Sequence, residues 1–317
     1  MLAKHEKEKI SGAVKAIKSK EKIVAIQAPE GVKKQIQEIA REIEDAEKVE
    51  TVILADPCYG ACDIPFEKAK ALGCQLIIHF GHADLNLMSP IPILYLERPS
   101  ELDPLLVLKR AAEMEKLKQY KKVGLVAPVQ HLDKFEAVRK FLEKEGKKVL
   151  IGKPSAGRAK YAGQILGCDV SSAKAIEPKV DAFIYIGTGR FHPISLLEAV
   201  KKPVLSCDLE LQTIVDLTGQ KNEIERKKLM RAALLKDART VGILVSTKAG
   251  QMAYAKNVFR VKQKLEAVGK RIWVLAMDEI RPEKLLGMKF DILINAACPR
   301  IREDLVFSTP MINADEF

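Results

Sequence analysis

The sequence predicts an α/β protein of three repeated parallel-sheet domains, arranged around a central site with pseudo-threefold symmetry. Three observations predict it. Short apolar runs alternate with helical segments along the 317 residues, the pattern of parallel sheets joined by right-handed crossovers. The same order of elements recurs three times, as in an internal repeat. One cysteine stands at a matching place in each repeat: Cys62, Cys168 and Cys298.

The elements follow in order. The first repeat has a strand at 23–26, a helix over 31–45, a strand at 51–55, the Cys62 loop, a helix ending at Ala71, and strands at 76–78 and 93–96. The second has a strand at 123–126, a helix over 132–145, a strand at 148–151, the Cys168 loop, and strands at 182–186 and 204–206. The third has a strand at 241–245, a helix over 251–268, a strand at 272–275, a short helix near 282–286 and a strand at 291–295. These strands are near-continuous apolar runs, as burial on both faces requires. The charged, amphipathic stretches 100–121 and 212–240 read as helical junctions. Domain boundaries follow at 1–105, 106–212 and 213–317.

Composition bounds the function. With 47% hydrophobic residues the chain can build large cores, which argues against disorder. The stretch from Met1 to Lys7 has no apolar centre, so no secretory signal is expected. No apolar run approaches membrane-spanning length. A cytoplasmic protein with no membrane contact is expected. Six cysteines in such a chain point to metal ligation or catalysis rather than to a disulfide framework. The net charge of +11 favours acidic partners. Glu is interleaved with the basic residues, however, so direct nucleic-acid binding is not expected.

The three matched cysteines carry the chemistry. Cys168 follows Cys62 by 106 residues and precedes Cys298 by 130. Local metal knuckles keep their ligands a few residues apart. Here each repeat supplies one thiolate, and three facing domains bring three to one point. Soft sulfur donors select zinc or an iron–sulfur cluster. No Glu stands beside these cysteines to activate water as in zinc deaminases. Cys58 shares the loop of Cys62 and stays a rival; Cys74 and Cys207 read as core. In open α/β sheets ligands bind beyond the carboxyl ends of strands. There the sequence places His82, Arg190, His192, Ser246, Gln251 and Arg300. His79 alternates within a strand and reads as packing. The Gly187-Thr188-Gly189 run is not a full phosphate-binding loop, which excludes a nucleotide hydrolase.

Four motifs in order then resemble one family. Asp56-Pro57-Cys58-Tyr59-Gly60-Ala61-Cys62-Asp63, Gly163-Gln164-Ile165-Leu166-Gly167-Cys168, Gly187-Thr188-Gly189-Arg190-Phe191-His192-Pro193 and Ala297-Cys298-Pro299-Arg300 are similar to the diphthamide biosynthesis family, in its archaeal first-step transferase branch. The resemblance runs from about residue 20 to the C-terminus. It implies a 4Fe–4S cluster on Cys62, Cys168 and Cys298, with Cys58 not a ligand. It implies transfer of the 3-amino-3-carboxypropyl group of S-adenosylmethionine to a histidine of translation elongation factor 2, with methylthioadenosine as co-product. It also implies a homodimer and an electron donor protein. The family usually continues beyond Asp315-Glu316-Phe317, so a trimmed C-terminus is expected. Arg300, two residues from Cys298, is the first choice to grip the cofactor carboxylate, unless it pairs with Asp304. Arg190 is second, with Gln251, His192, Ser246 and His82 as further contacts. The alternatives are another three-cysteine enzyme of quinolinate synthase type, the reductase of the last isoprenoid-diphosphate step, or a non-catalytic partner that carries a cluster.

Overall fold

A computed structural model describes residues 1–155, 157–251, 257–303 and 306–316 of the chain. Two compact units divide it, Met1–Ser100 and Glu101–Phe317.

The amino-terminal unit holds α1 (Lys4–Lys15), β1 (Ile23–Gln27), α2 (Lys33–Glu47), β2 (Glu50–Ile53), α3 (Phe66–Ala71), β3 (Leu76–Phe80) and β4 (Ile93–Leu96). Its four strands are all parallel, in the order β2-β1-β3-β4. β3 is buried along its whole length, as its apolar run predicts. α2 turns Ile36, Ile39, Ala40 and Ile43 inward, the spacing of one helix face. Ile10 and Val14 of α1 join the same core. Each fully buried aliphatic side chain of this kind contributes about 1.5–3 kcal/mol.

The second unit holds two sheets. The first contains β5 (Lys122–Val126), β6 (Lys148–Leu150), β7 (Ala182–Gly187), β8 (Val204–Asp208) and β9 (Thr213–Asp216). Around them lie α4 (Leu105–Leu108), α5 (Ala111–Glu115), α6 (Phe135–Lys144), α7 (Ser171–Lys174) and α8 (Phe191–Ala199). The order is β6-β5-β7-β8-β9, parallel except for the antiparallel edge strand β9. α9 (Lys221–Asp237) leads to the other sheet, with β10 (Thr240–Ser246), α10 (Val258–Glu266), β11 (Arg271–Met277), β12 (Ile292–Asn295), α11 (Arg300–Glu303) and β13 (Met311–Asn313). Its order is β11-β10-β12-β13, all parallel.

The repeat therefore survives in detail. Each sheet runs second-first-third-fourth, so connections leave the first and third strands in opposite directions. That divergence opens a crevice at their carboxyl ends, where ligands bind in open α/β sheets.

Several elements differ from expectation. The 212–240 junction is not one helix, because Thr213–Asp216 pairs with β8 first. The 100–121 junction is two short helices rather than one. The helix expected over 132–145 begins as a 3-10 turn at Val129–Lys134. Phe191–Ala199 is a helix, so the strand-end run that carries His192 passes into a helix the sequence reading did not assign. α1 and β13 were not anticipated. Residues 252–256 of the helix expected over 251–268 lie outside the described residues, as does Asp304.

Candidate metal centre

Burial separates the six cysteines into two sets. Cys58, Cys74 and Cys207 are buried, while Cys62, Cys168 and Cys298 are half-buried. Burial pushes the Cys207 thiol up to about 12, with Glu113 and Asp208 adding to it, and raises Cys74 as well. Both are core thiols held protonated. The helix between Cys62 and Cys74 is only Phe66–Ala71, so it is burial, not helix length, that marks Cys74 as core.

In the amino-terminal unit Cys62 sits in a turn closed by the Asp63 N–H donating to the Gly60 carbonyl at 3.0 Å. The Asp63 carbonyl in turn accepts from Gln27 Nε2 at 2.7 Å. Gln27 ends β1 and thereby fastens the Cys62 turn to the sheet. His79, near the end of β3, is fully buried. Its Nδ1 lies 2.9 Å from Gln27 Oε1, and its Nε2 lies 3.0 Å from His82 Nδ1. The packing expected of His79 is thus joined to a polar chain that leads to His82. Burial depresses the pKa of His79 to about 3, with His82 adding to the effect. Burial likewise lowers His82 to about 4. Both rings are neutral at neutral pH.

In the second unit Cys168 occupies a tight turn. Leu166 and Asp169 pair across it, with N–H···O distances of 2.8 and 3.1 Å. Burial raises the Asp169 carboxyl, but hydrogen bonds from Ser171, Ala159 and Arg158 outweigh that and hold it below the usual range. Gly167 lies flat against the Phe191 ring, which a Cβ there would overlap. The Arg300 guanidinium lies 5.8 Å from the centroid of that same ring. Cys298 follows β12 in a loop braced by Asn295, whose Nδ2 donates to the Cys298 carbonyl at 2.9 Å and to Asn313 Oδ1 at 2.8 Å. Phe191 therefore connects the turn of Cys168 with the helix that follows Cys298.

The other expected site residues fall as follows. Arg190 is exposed, and its Nη2 donates to Gln220 Oε1 at 2.6 Å. His192 stacks on Tyr185 with ring centroids 6.4 Å apart. Ser246, the last residue of β10, and Gln251 beyond it are both buried. Arg158 donates to the Gly250 carbonyl beside Gln251, and its own N–H reaches Asp169 next to Cys168 at 3.2 Å. Sequence reasoning missed Asn295, Asn313 and Gln27. Asn295 carried a signal: a polar residue closing an apolar strand, three positions before a cysteine.

The donor chemistry suits a soft metal centre. Three half-buried thiols stand in turns at the carboxyl side of three sheets of one topology, but not at the same place in each: Cys62 and Cys168 follow the second strand of their sheets and Cys298 follows the third. That defines a class, a three-sheet α/β protein with one candidate thiolate ligand per sheet. Comparison with known proteins then places it. Residues 28–317 match the family described as "Putative diphthamide synthesis protein". A relative from Pyrococcus horikoshii, 2-(3-amino-3-carboxypropyl)histidine synthase, is 31% identical over 96% of this chain and 86% of its own length. Subunit 1 of the Caenorhabditis elegans synthase is 29% identical over 89% of this chain and 71% of its own. The crystal structures of Pyrococcus horikoshii Dph2, one of them with a 4Fe–4S cluster, superpose with a TM-score of 0.88. Each is 30% identical, and the match covers 100% of this chain and 90% of that one. The chain belongs to the diphthamide synthesis family.

Proposed function

We propose that this protein is a 2-(3-amino-3-carboxypropyl)histidine synthase. It transfers the 3-amino-3-carboxypropyl group of S-adenosylmethionine to C2 of a histidine on translation elongation factor 2, the first step of diphthamide biosynthesis. One observation carries the reading: only Cys62, Cys168 and Cys298, one in a turn beyond a strand of each sheet, are half-buried, and the other three cysteines are buried. Cys62, Cys168 and Cys298 hold the 4Fe–4S cluster. When bound, such a cluster supplies an electron for reductive cleavage of the sulfonium carbon–sulfur bond, with methylthioadenosine as co-product.

The chain's own residues bind and orient. Arg300 grips the cofactor carboxylate through the paired donors of its guanidinium. The Phe191 ring beneath it limits where that guanidinium can sit. Arg190, whose guanidinium donates to Gln220, is the second choice because it lies farther along the chain from a cluster cysteine than Arg300 does. Ser246, Gln251 and His192 complete the contacts. The partners in this reading are the elongation factor, an electron donor protein and a second copy of the chain, all in the cytoplasm. Among the described residues no helix is long and apolar enough to cross a membrane.

The test is direct. Cys62→Ala, Cys168→Ala and Cys298→Ala each lose bound iron, while Cys74→Ala and Cys207→Ala keep it. Reduced wild-type protein with S-adenosylmethionine releases methylthioadenosine. Full iron retention in Cys168→Ala, or 5′-deoxyadenosine as the dominant product, overturns the reading.

A further inference from the structure

Three side chains of the amino-terminal unit meet where the proposed chemistry does not use them. Cys58, His79 and His82 each place one ligand atom within 4.8 Å of the other two. They come from three places in the chain: the loop after β2, the end of β3 and the loop beyond it. The meeting point lies at the carboxyl ends of β1 and β3, where the connections diverge.

The hydrogen bonds fix which atom of His79 is a donor to metal. Gln27 Nε2 donates to the Asp63 carbonyl at 2.7 Å, so its amide is oriented with Oε1 towards His79. That oxygen can only accept, so His79 Nδ1, at 2.9 Å, carries the ring proton. His79 Nε2 is left with a lone pair. A ligating histidine is held in the same manner, its other nitrogen donating to an amide or carbonyl oxygen. His82 Nδ1 faces that lone pair at 3.0 Å. Two imidazole nitrogens bound to one tetrahedral zinc, each at about 2.0–2.1 Å, lie about 3.3 Å apart. The pair therefore needs to open by only a few tenths of an ångström. Cys58 adds a thiolate, and one sulfur with two imidazoles suits zinc better than the oxygen-seeking cations.

We propose that Cys58 Sγ, His79 Nε2 and His82 Nδ1 form a zinc site, separate from the cluster ligands. The site has three protein ligands and a fourth position for water. On binding, Cys58 loses its thiol proton to solvent, and the proton of His82 stands on Nε2. No electron moves. The ion fastens the loop that precedes Cys62 to the end of β3, and so holds Cys62 in register with the sheet. This assigns His82 to the ion rather than to the cofactor. The inference rests on donor geometry within one unit and not on the cluster.

The experiment uses the full, cluster-loaded chain, prepared without oxygen and dialysed against zinc at about micromolar concentration, the range of a moderate-affinity site. Zinc and iron are measured together by elemental analysis, and the zinc environment is read by X-ray absorption. Wild type holds one zinc per chain with two nitrogen neighbours and one sulfur. Cys62→Ala keeps its zinc while losing iron. Cys58→Ser and His82→Ala, checked for folding by circular dichroism, bind zinc at least tenfold more weakly. His82 is half-buried, so His82→Ala stands in if Cys58→Ser does not fold. Wild type with no zinc above background, zinc without a sulfur neighbour, or folded variants that bind like wild type overturn the proposal. A cluster that survives Cys62→Ala would instead overturn the cluster reading and leave the zinc site standing.

Discussion

Removing Arg302 should loosen the second unit where α11 meets α8. Arg302 is buried, four residues past Cys298. Its Nη2 lies 2.9 Å from Glu198 Oε1, and its other arm meets Glu316. Glu198 belongs to α8, the helix that begins with Phe191, so this ion pair joins the Cys298 loop to the second sheet. Arg302→Met keeps the aliphatic bulk and removes the charge. Breaking a buried pair by deleting one partner costs about 3–5 kcal/mol. Two details set the size. Glu316 keeps Arg231 at 3.8 Å, and the Glu198 side chain is 20% exposed, so one carboxylate retains a partner and the other can be partly resolvated. The low end, about 3 kcal/mol, is expected. A unit of this size shifts by about 2–4 °C per kcal/mol, so melting falls by roughly 6–12 °C. Glu198→Gln added to Arg302→Met removes the stranded charge and recovers part of the loss. Scanning calorimetry of wild type and the two variants decides it. A shift under about 2 °C for Arg302→Met, or a double variant no better than the single, refutes the account, since a broken buried pair cannot cost so little.

Gly167→Ala drives a Cβ into the Phe191 ring; overpacking of this kind costs about 1–3 kcal/mol, and reduced iron retention together with a lower melting temperature is expected. Arg300→Ala should weaken S-adenosylmethionine binding about tenfold or more without loss of iron, because a charge-assisted hydrogen bond contributes roughly 1.5–3 kcal/mol; calorimetry on the oxidised, iron-replete variant checks it, and an unchanged affinity moves the role to Arg190. Stability should also fall with pH below about 6.5, the ordinary histidine value. His79 and His82 are depressed to about 3 and about 4 in the folded state, so the unfolded chain takes up protons that the folded one refuses. The stabilisation is complete above about 6.5 and is lost as pH falls towards the folded values, by at most about 1.4 kcal/mol per pH unit for each histidine. Denaturant midpoints at pH 7, 6 and 5, measured with a chelator present, should decline, and His82→Asn should flatten the decline.

What the sequence made legible was what repeats or alternates locally. The apolar strands and the matched cysteines needed no knowledge of which residues touch. β9 was legible too, since Thr213-Ile214-Val215 is a β-branched run, but the basic helix after it dominated the window. α8 was harder. Its residues are apolar on nearly every side because it is buried against the second sheet, so no helical stripe appears. Pro193 looks like a breaker, yet it sits in the first turn, where its missing N–H costs nothing. β13 is three residues long and gains its strand character only by pairing with β12.

The site was half legible for the same reason. A thiol's place in a turn is local, but its environment is not. The distinction between Cys62 and Cys58, four residues apart, depends on what each faces. Cys58 is buried beside two histidines, one at the end of β3 and one in the loop beyond it, and the first is fixed by Gln27 of β1, 52 residues before it. No spacing rule reports such a chain, because each link is a tertiary contact between residues that are ordinary in isolation. Asn295 is the opposite case: its amide braces Cys298 three residues on, so it could have been found from a polar residue that closes an apolar strand. Residues that act on near neighbours can be read from sequence, and residues that act across a sheet must wait for the fold. The zinc site is of the second kind: three side chains that read singly as packing, as a non-ligand and as a cofactor contact acquire a common role only when placed together.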